Sequence, residues 1–159
     1  MHYALQSLLD IRLMREDKAS GELTAARRAV RSAEAAVEDR RRELAEFERT
    51  RDERRDRIYD TIMGRPVSRD QIDLAQEGVA RIDEEGALKA DNVVRAESEL
   101  KKREDEAEAA RANFVTATKN RMKIDEHRAV WQTEAAKEEE HRVEGELEDF
   151  TGRKQNLDD

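Results

Sequence analysis

An uninterrupted heptad seam dominates the second half of the sequence. Positions spaced alternately four and three residues apart are mostly apolar or small, and the residues between them are almost all charged or polar. A repeat of about 3.5 residues held over this length predicts a supercoiled helix that buries one narrow stripe. The seam positions are Ala75, Val79, Ile82, Gly86, Lys89, Val93, Ala96, Leu100, Arg103, Ala107, Ala110, Phe114, Ala117, Arg121, Ile124, Arg128, Trp131 and Ala135. A long helical rod has no evident place for an active site, so the central question is which partners it contacts.

The composition agrees with this interpretation. The chain has 159 residues, of which 44% are charged and only 4% are aromatic. High charge combined with a heptad pattern is typical of coiled coils. The absence of cysteine excludes disulfides and Cys-based metal or redox chemistry. No apolar run approaches the roughly 20 residues that span a bilayer, and residues 1–13 lack the pattern of a secretory signal. We therefore expect a cytoplasmic protein without membrane insertion.

The net charge of −8 is distributed unevenly. Residues 1–62 are electrically balanced, whereas residues 63–159 carry 17 basic and 25 acidic side chains. An acidic surface repels nucleic acid, so no nucleic-acid partner is expected. The arginine-rich stretch 40–57 also contains interleaved acids, which predicts a salt-bridged face and not a cationic patch.

One cluster of helix breakers divides the chain. Gly64 can end a helix in a left-handed conformation, and Pro66 forbids simple continuation. Ser68 followed by Gln71 predicts a capping box that starts the next helix. We therefore predict an all-α fold of two long helices in one antiparallel coiled-coil hairpin. The predicted segments are helix 1 at about 3–63, a turn at 64–67, helix 2 at about 68–150 and a tail at 151–159.

The first helix carries its own seam, and the short turn sets the facing pairs. Its positions are Leu23, Ala26, Val30, Ala33, Val37, Arg40, Leu44, Phe47, Arg51, Arg54 and Ile58. Facing residues should have numbers adding to about 133, which sets Phe47 opposite Gly86, a large residue opposite a small one. Arg40 should face Val93 and cover the seam with its alkyl stem while its guanidinium reaches water. Leu5, Leu9 and Leu13 predict a register shift before Leu23. Arg12 opposite Arg121 is the pair that fits badly, and either a register change near Gly21 or repacking near the open end would relieve it.

At the open end, where both termini meet, helix 2 should extend beyond helix 1. Val143, Leu147 and Phe150 lie at i, i+4 and i+7 among many acids. One interpretation is a frayed, charged tail, and the other is an acidic helix that docks on a partner. We assign partner binding at this end to Leu8, Leu9, Ile11, Val143, Leu147 and Phe150. Trp131 is expected to be a core aromatic near Tyr3 and Leu5, with a partner anchor as the alternative.

Apolar residues also cluster at the predicted turn, which we call the tip. One interpretation is a hydrophobic plug that closes the hairpin, and this accounts well for Ile58. The other is a partner-binding surface, because an apolar tip is conspicuous on a charged rod. We assign partner binding at the tip to Tyr59, Ile62, Met63, Pro66 and Val67.

Nothing in the sequence predicts catalysis or cofactor binding. His127 and His141 are too far apart along a helix to share a metal ion, and a solvated face is the simpler explanation for His141 beside Glu138 and Glu144. There is no Gly-rich phosphate loop. We therefore expect no enzyme activity, no metal site and no cofactor.

Residues 57–73, which include the Gly-Arg-Pro-Val-Ser turn, resemble the tip of the YscO family of type III secretion stalk proteins, which are related to flagellar FliJ. The charged, Ala- and Arg-rich helices and the acidic end at 146–150 fit the same family. The resemblance implies a stalk that couples the hexameric export ATPase to the cytoplasmic ring of the export gate. It further implies binding of secretion chaperones, a place at the inner membrane and a role in virulence. The alternative function is a generic coiled-coil adaptor or holdase-like chaperone.

Overall fold

The computed structural model describes residues 2–155, with side chains for residues 2–150, as two helices joined by a short turn. Helix α1 spans Gln6–Asp60 and helix α2 spans Arg69–Gln155. The predicted all-α class and antiparallel pairing are confirmed. Helix α1 is shorter at both ends than the predicted 3–63, and α2 continues past residue 150 into the predicted tail. Residues 156–159 of that tail lie outside the described residues.

The turn between the helices uses the predicted breakers. Gly64 has a φ of 70°, a left-handed conformation that a residue with a Cβ adopts only with strain. The capping box is present, because the Ser68 backbone N–H donates to Gln71 Oε1 at 2.8 Å and the Gln71 N–H donates to Ser68 Oγ at 3.3 Å. The first turn of α2 thus has two of its otherwise unpaired groups satisfied by side chains.

The chain divides into two compact units, each built from a segment of both helices. Unit 1 comprises Met1–Glu22 with Arg111–Asp159, and unit 2 comprises Leu23–Ala110. In each unit the α1 and α2 segments run antiparallel, since contacts that move forward on α1 move backward on α2.

Unit 2 has an apolar seam. Every predicted α2 seam position from Ala75 to Ala110 is buried or half-buried. The predicted facing of Phe47 and Gly86 is confirmed, because a Cβ built on Gly86 would lie 2.6 Å from Phe47 Cε1. Ile58 similarly lies against Gly78, where an added Cβ would be 3.1 Å from Ile58 Cδ1. The most deeply buried members, each at most 8% exposed, are Leu23, Val37, Phe47, Ala75, Val79 and Ile82.

The arginines of unit 2 lie mostly beside this seam. The Arg40 side chain is 48% exposed, and its guanidinium reaches the surface as predicted, where it pairs with Glu43 one turn away at 3.0 Å. Arg54 stacks over the Phe47 ring at 5.7 Å and reaches Glu85 on α2 at 2.8 Å. The predicted salt-bridged face on residues 40–57 is confirmed by this and several further pairs.

Unit 1 keeps the same heptad phase, and the predicted register shift is wrong. Leu13 is 45% exposed, whereas Arg12 and Glu16 take the inward positions between the buried Leu9 and Ala19. The uninterrupted phase lets α1 remain one helix, because a shift would need a local change in its winding. Two charged side chains therefore enter the seam where the sequence offers Leu13 as an apolar alternative.

A polar network makes this arrangement possible. Arg121 donates from Nε to Glu16 Oε2 at 2.5 Å and from Nη1 to Asp125 Oδ2 at 2.6 Å. Thr118 also donates its hydroxyl to Glu16, at 3.0 Å. The hydrogen bond from Arg121 is the main cause that lowers the pKa of Glu16, and partial burial opposes it. The repulsive pair predicted for Arg121 is thus replaced by an acid–base pair.

Aromatic side chains close the end of unit 1. Tyr3 is 5% exposed, its ring centroid lies 5.2 Å from that of Trp131, and its hydroxyl lies 2.8 Å from His127 Nδ1. Trp131 is therefore a packed aromatic, as expected. The hydrogen bond to His127 was not predicted, because no local pattern links residues so far apart in sequence.

Candidate partner-binding surfaces

The α2 segment 136–150, here called the terminal segment, is exposed at every residue. It carries seven acidic and two basic side chains. Val143, Leu147 and Phe150 are 44%, 60% and 64% exposed at helical spacing. Arg142 bridges Glu139 and Glu146 at 2.6 and 3.0 Å, so part of the acidic charge is organised along the helix. The hydrogen bond from Arg142 is the largest of the effects that lower the pKa of Glu139.

The α1 residues assigned to the same surface behave differently. Leu9 is 1% exposed and belongs to the core of unit 1, so its assignment to a free docking surface is wrong. It occupies an inward heptad position, and burial of a leucine there stabilises the helix pair by about 1.5–3 kcal/mol. Leu8 is half-buried, whereas Ile11 is 45% exposed. Of the three, only Ile11 presents a large part of its apolar side chain at the surface.

At the tip, the assigned residues separate by exposure. Tyr59 and Met63 are 40% and 67% exposed, and Pro66 is also exposed. Ile62 and Val67 are half-buried. The α1 end is fixed beneath them, because the Met63 N–H donates to the Tyr59 carbonyl at 2.9 Å and the Thr61 hydroxyl donates to the Ile58 carbonyl at 2.6 Å. The exposed apolar atoms therefore sit on an ordered turn.

A cavity of about 380 Å³ lies beside the turn, within unit 2. Of the assigned tip residues only Ile62 lines it. Its other lining residues are Ile58, Thr61, Gln71, Leu74, Ala75 and Gly78. Leu74, which is 67% exposed, was missed although it is a large apolar residue one position off the seam, a signal that was available in the sequence.

The remaining chemistry of the described residues is modest. Within residues 2–155, no cluster of three or more His, Cys, Asp or Glu side chains is arranged to hold a metal ion. His141 lies 3.6 Å from Glu144 on the exposed face. Across the same residues, neither helix contains a stretch apolar and long enough to cross a membrane.

Comparison with protein families identifies the chain. The family model described as type III secretion protein YscO matches residues 5–153. The chain belongs to the YscO family. Proteins of this family are structural components of type III secretion systems. The match over residues 5–153 includes the tip, the terminal segment and most of both helices. No curated protein matches the sequence.

A solved structure has the same fold. A YscO homolog, CT670 from Chlamydia trachomatis, is similar to this YscO-family chain with a TM-score of 0.77 and 19% sequence identity. The alignment covers 99% of this chain and 96% of the other. At this identity the likeness concerns the two-helix fold and not the individual contacts.

Proposed function

We propose that this YscO-family protein is a stalk component that couples the export ATPase hexamer to the cytoplasmic ring of the export gate. The observation that carries the proposal is the exposed terminal segment, an acidic helix with an apolar stripe, in a chain whose family serves type III secretion. The protein would act on the cytoplasmic side of the inner membrane, with secretion chaperones as further partners.

The terminal segment suits the ATPase because it combines two kinds of contact. Val143, Leu147 and Phe150 offer apolar area that a partner would remove from water. The surrounding acids attract a basic surface and set the orientation of docking. Helical anchors at i, i+4 and i+7 are the usual pattern of a helix held in a groove.

The tip suits a second partner because its exposed groups differ from those of the terminal segment. Tyr59 and Met63 present aromatic and thioether surface on a turn whose backbone is fixed by hydrogen bonds. A rigid apolar surface loses little entropy on binding. We assign the gate ring to the tip and the ATPase to the terminal segment.

A pull-down with the cognate export ATPase tests the terminal segment. Changing Val143, Leu147 and Phe150 together to Ser should reduce retained ATPase about tenfold or more, because buried apolar anchors dominate interfaces. The matched control changes Met14, Met122 and Val130 to Ser, since these are 72%, 47% and 57% exposed in the same unit. Equal retention by both variants would contradict docking through the terminal segment.

The tip is tested in the same format against the isolated gate ring. Changing Tyr59 and Met63 to Ser should weaken gate binding while helicity by circular dichroism and the Tm stay nearly constant, because both side chains are exposed. Leu88 and Val94, 59% and 61% exposed in the same unit, provide the Ser control. If the Tm falls and the folded fraction binds the gate normally, the tip is only a plug.

A further inference from the structure

Unit 1 contains a small cavity, lined by five polar residues and one alanine, that the family assignment does not explain. It has a volume of about 160 Å³. Two guanidinium groups, two carboxamides and one hydroxyl surround it, and none of its lining side chains is acidic. The lining residues are Arg12, Arg15, Asn113, Thr116, Ala117 and Asn120. We call it the arginine cavity.

Arg12, one of the lining residues, has no acid partner among residues 2–150 and has one unsatisfied donor atom. The Nε atom of Arg12 is buried and has no hydrogen-bond partner among the described residues. Within the described side chains, neither Arg12 nor Arg15 forms an ion pair with a carboxylate. The nearby Glu16 is already engaged by Thr118 and Arg121. The guanidinium groups of Arg12 and Arg15 thus have no carboxylate partner in the described part of the chain, which leaves them available to an acceptor from outside the chain.

The sequence around the cavity is exceptional in this acidic protein. Residues 109–124 contain no Asp or Glu, and this is the longest such run in the chain. The same stretch contains Arg111, Lys119, Arg121 and Lys123. The local field therefore favours anions although the net charge of the whole chain is −8.

We propose that the arginine cavity binds an oxyanion held by the guanidinium groups of Arg12 and Arg15. A guanidinium fork can donate to two oxygens of a carboxylate or of a phosphate at once, and amide and hydroxyl donors from Asn113, Thr116 and Asn120 complete the set. Two sources share this chemistry, namely free inorganic phosphate and the carboxylates of an acidic peptide. None of its lining residues belongs to the terminal segment or to the tip, and the proposal does not depend on the stalk function.

The test is a titration of the full-length protein followed by the arginine Nε–Hε signals in nuclear magnetic resonance. Inorganic phosphate is added in one arm and a short oligoglutamate peptide in the other, with ionic strength held constant by KCl. We expect a saturable shift of the Arg12 and Arg15 signals in at least one arm. Saturation by phosphate identifies a free-anion site, and saturation by the peptide alone identifies a carboxylate site.

Substitutions test whether Arg12 and Arg15 hold the bound anion. Arg15→Gln removes an exposed guanidinium, so the protein should fold and bind about tenfold or more weakly, and Arg12→Gln should do the same. The matched control is Arg28→Gln with Arg31→Gln, an exposed pair at the same spacing outside the cavity, which should leave affinity unchanged. A linear, non-saturating response in both arms would overturn the proposal. An affinity lost equally in the control, or retained by Arg15→Gln, would overturn it too.

Discussion

The two units build the same helix pair from different chemistry. In unit 2 the seam is mostly apolar, with half-buried Lys89 and Arg103 as the exceptions on α2, and Phe47 packs on Gly86. In unit 1 the seam includes Arg12, Glu16 and Arg121, and hydrogen bonds replace much of the apolar contact. Apolar burial is insensitive to pH and is not directional, whereas the polar network needs each group in its charged state and correct geometry.

This difference indicates where each unit is vulnerable. Unit 2 should respond to changes of side-chain volume, since tightly packed interiors tolerate neither cavities nor extra atoms well. Unit 1 should respond to changes of charge and pH. Three substitutions test the contrast.

The largest effect is expected from Phe47→Ala in unit 2. Phe47 is 4% exposed, and removal of a buried phenyl ring costs about 3–5 kcal/mol of the free energy of unfolding. Leu88→Ala, at a position 59% exposed, is the control and should change that energy by less than about 1 kcal/mol. Urea denaturation measures both. A loss at Phe47 no larger than at Leu88 would show that the apolar seam does not dominate unit 2.

The position of Phe47 in the core follows from sequence because heptad spacing and helical geometry leave little choice. The turn was equally predictable, since Gly64, Pro66 and the Ser68–Gln71 pair each have a specific backbone consequence. The heptad phase of the first turns of α1 was not predictable from the sequence. Local apolarity favours Leu13 as the inward residue, and only the long-range pairing of Glu16 with Arg121 makes the alternative phase favourable.

The candidate surfaces divide in the same way. Exposure of the terminal segment could be predicted from its charge pattern together with the length difference between the helices. The burial of Leu9 was also predictable, because Leu9 occupies an inward heptad position. The arginine cavity was not, because it depends on which α2 residues face the beginning of α1. Residues that act through the partner helix are recognised only when the pairing is known.

A smaller loss is expected from Gly86→Ala. The added Cβ would meet the buried Phe47 ring at 2.6 Å, and overpacking of a core costs typically about 1–3 kcal/mol. Alanine regains up to about 1 kcal/mol by its better helix propensity, so a net destabilisation of about 1–2 kcal/mol should appear. Gly21→Ala is the matched control, because nothing lies within 4 Å of its added Cβ, and it should stabilise the protein slightly. Stabilisation by both substitutions would mean that Phe47 moves aside without cost.

The smallest effect, and the one that distinguishes unit 1, is expected from Glu16→Gln. Its carboxylate accepts from Arg121 and Thr118, and the loss should be about 1 kcal/mol at pH 7, because Arg121 retains Asp125. Because the hydrogen bond from Arg121 lowers the pKa of Glu16 below its ordinary value of 4.5, the ionised form is favoured in the folded protein. Its contribution is fully present above pH 4.5 and is lost as the pH falls from there through the lowered pKa. The stability difference between wild type and Glu16→Gln should therefore be largest near neutrality and shrink in acid.

Asp17→Asn removes the same charge from the adjacent exposed position and should leave the wild-type pH profile in place. Urea denaturation at a series of pH values measures all three proteins, and a constant difference for Glu16→Gln down through the acid range would show that packing, not ionisation, makes Glu16 matter in unit 1.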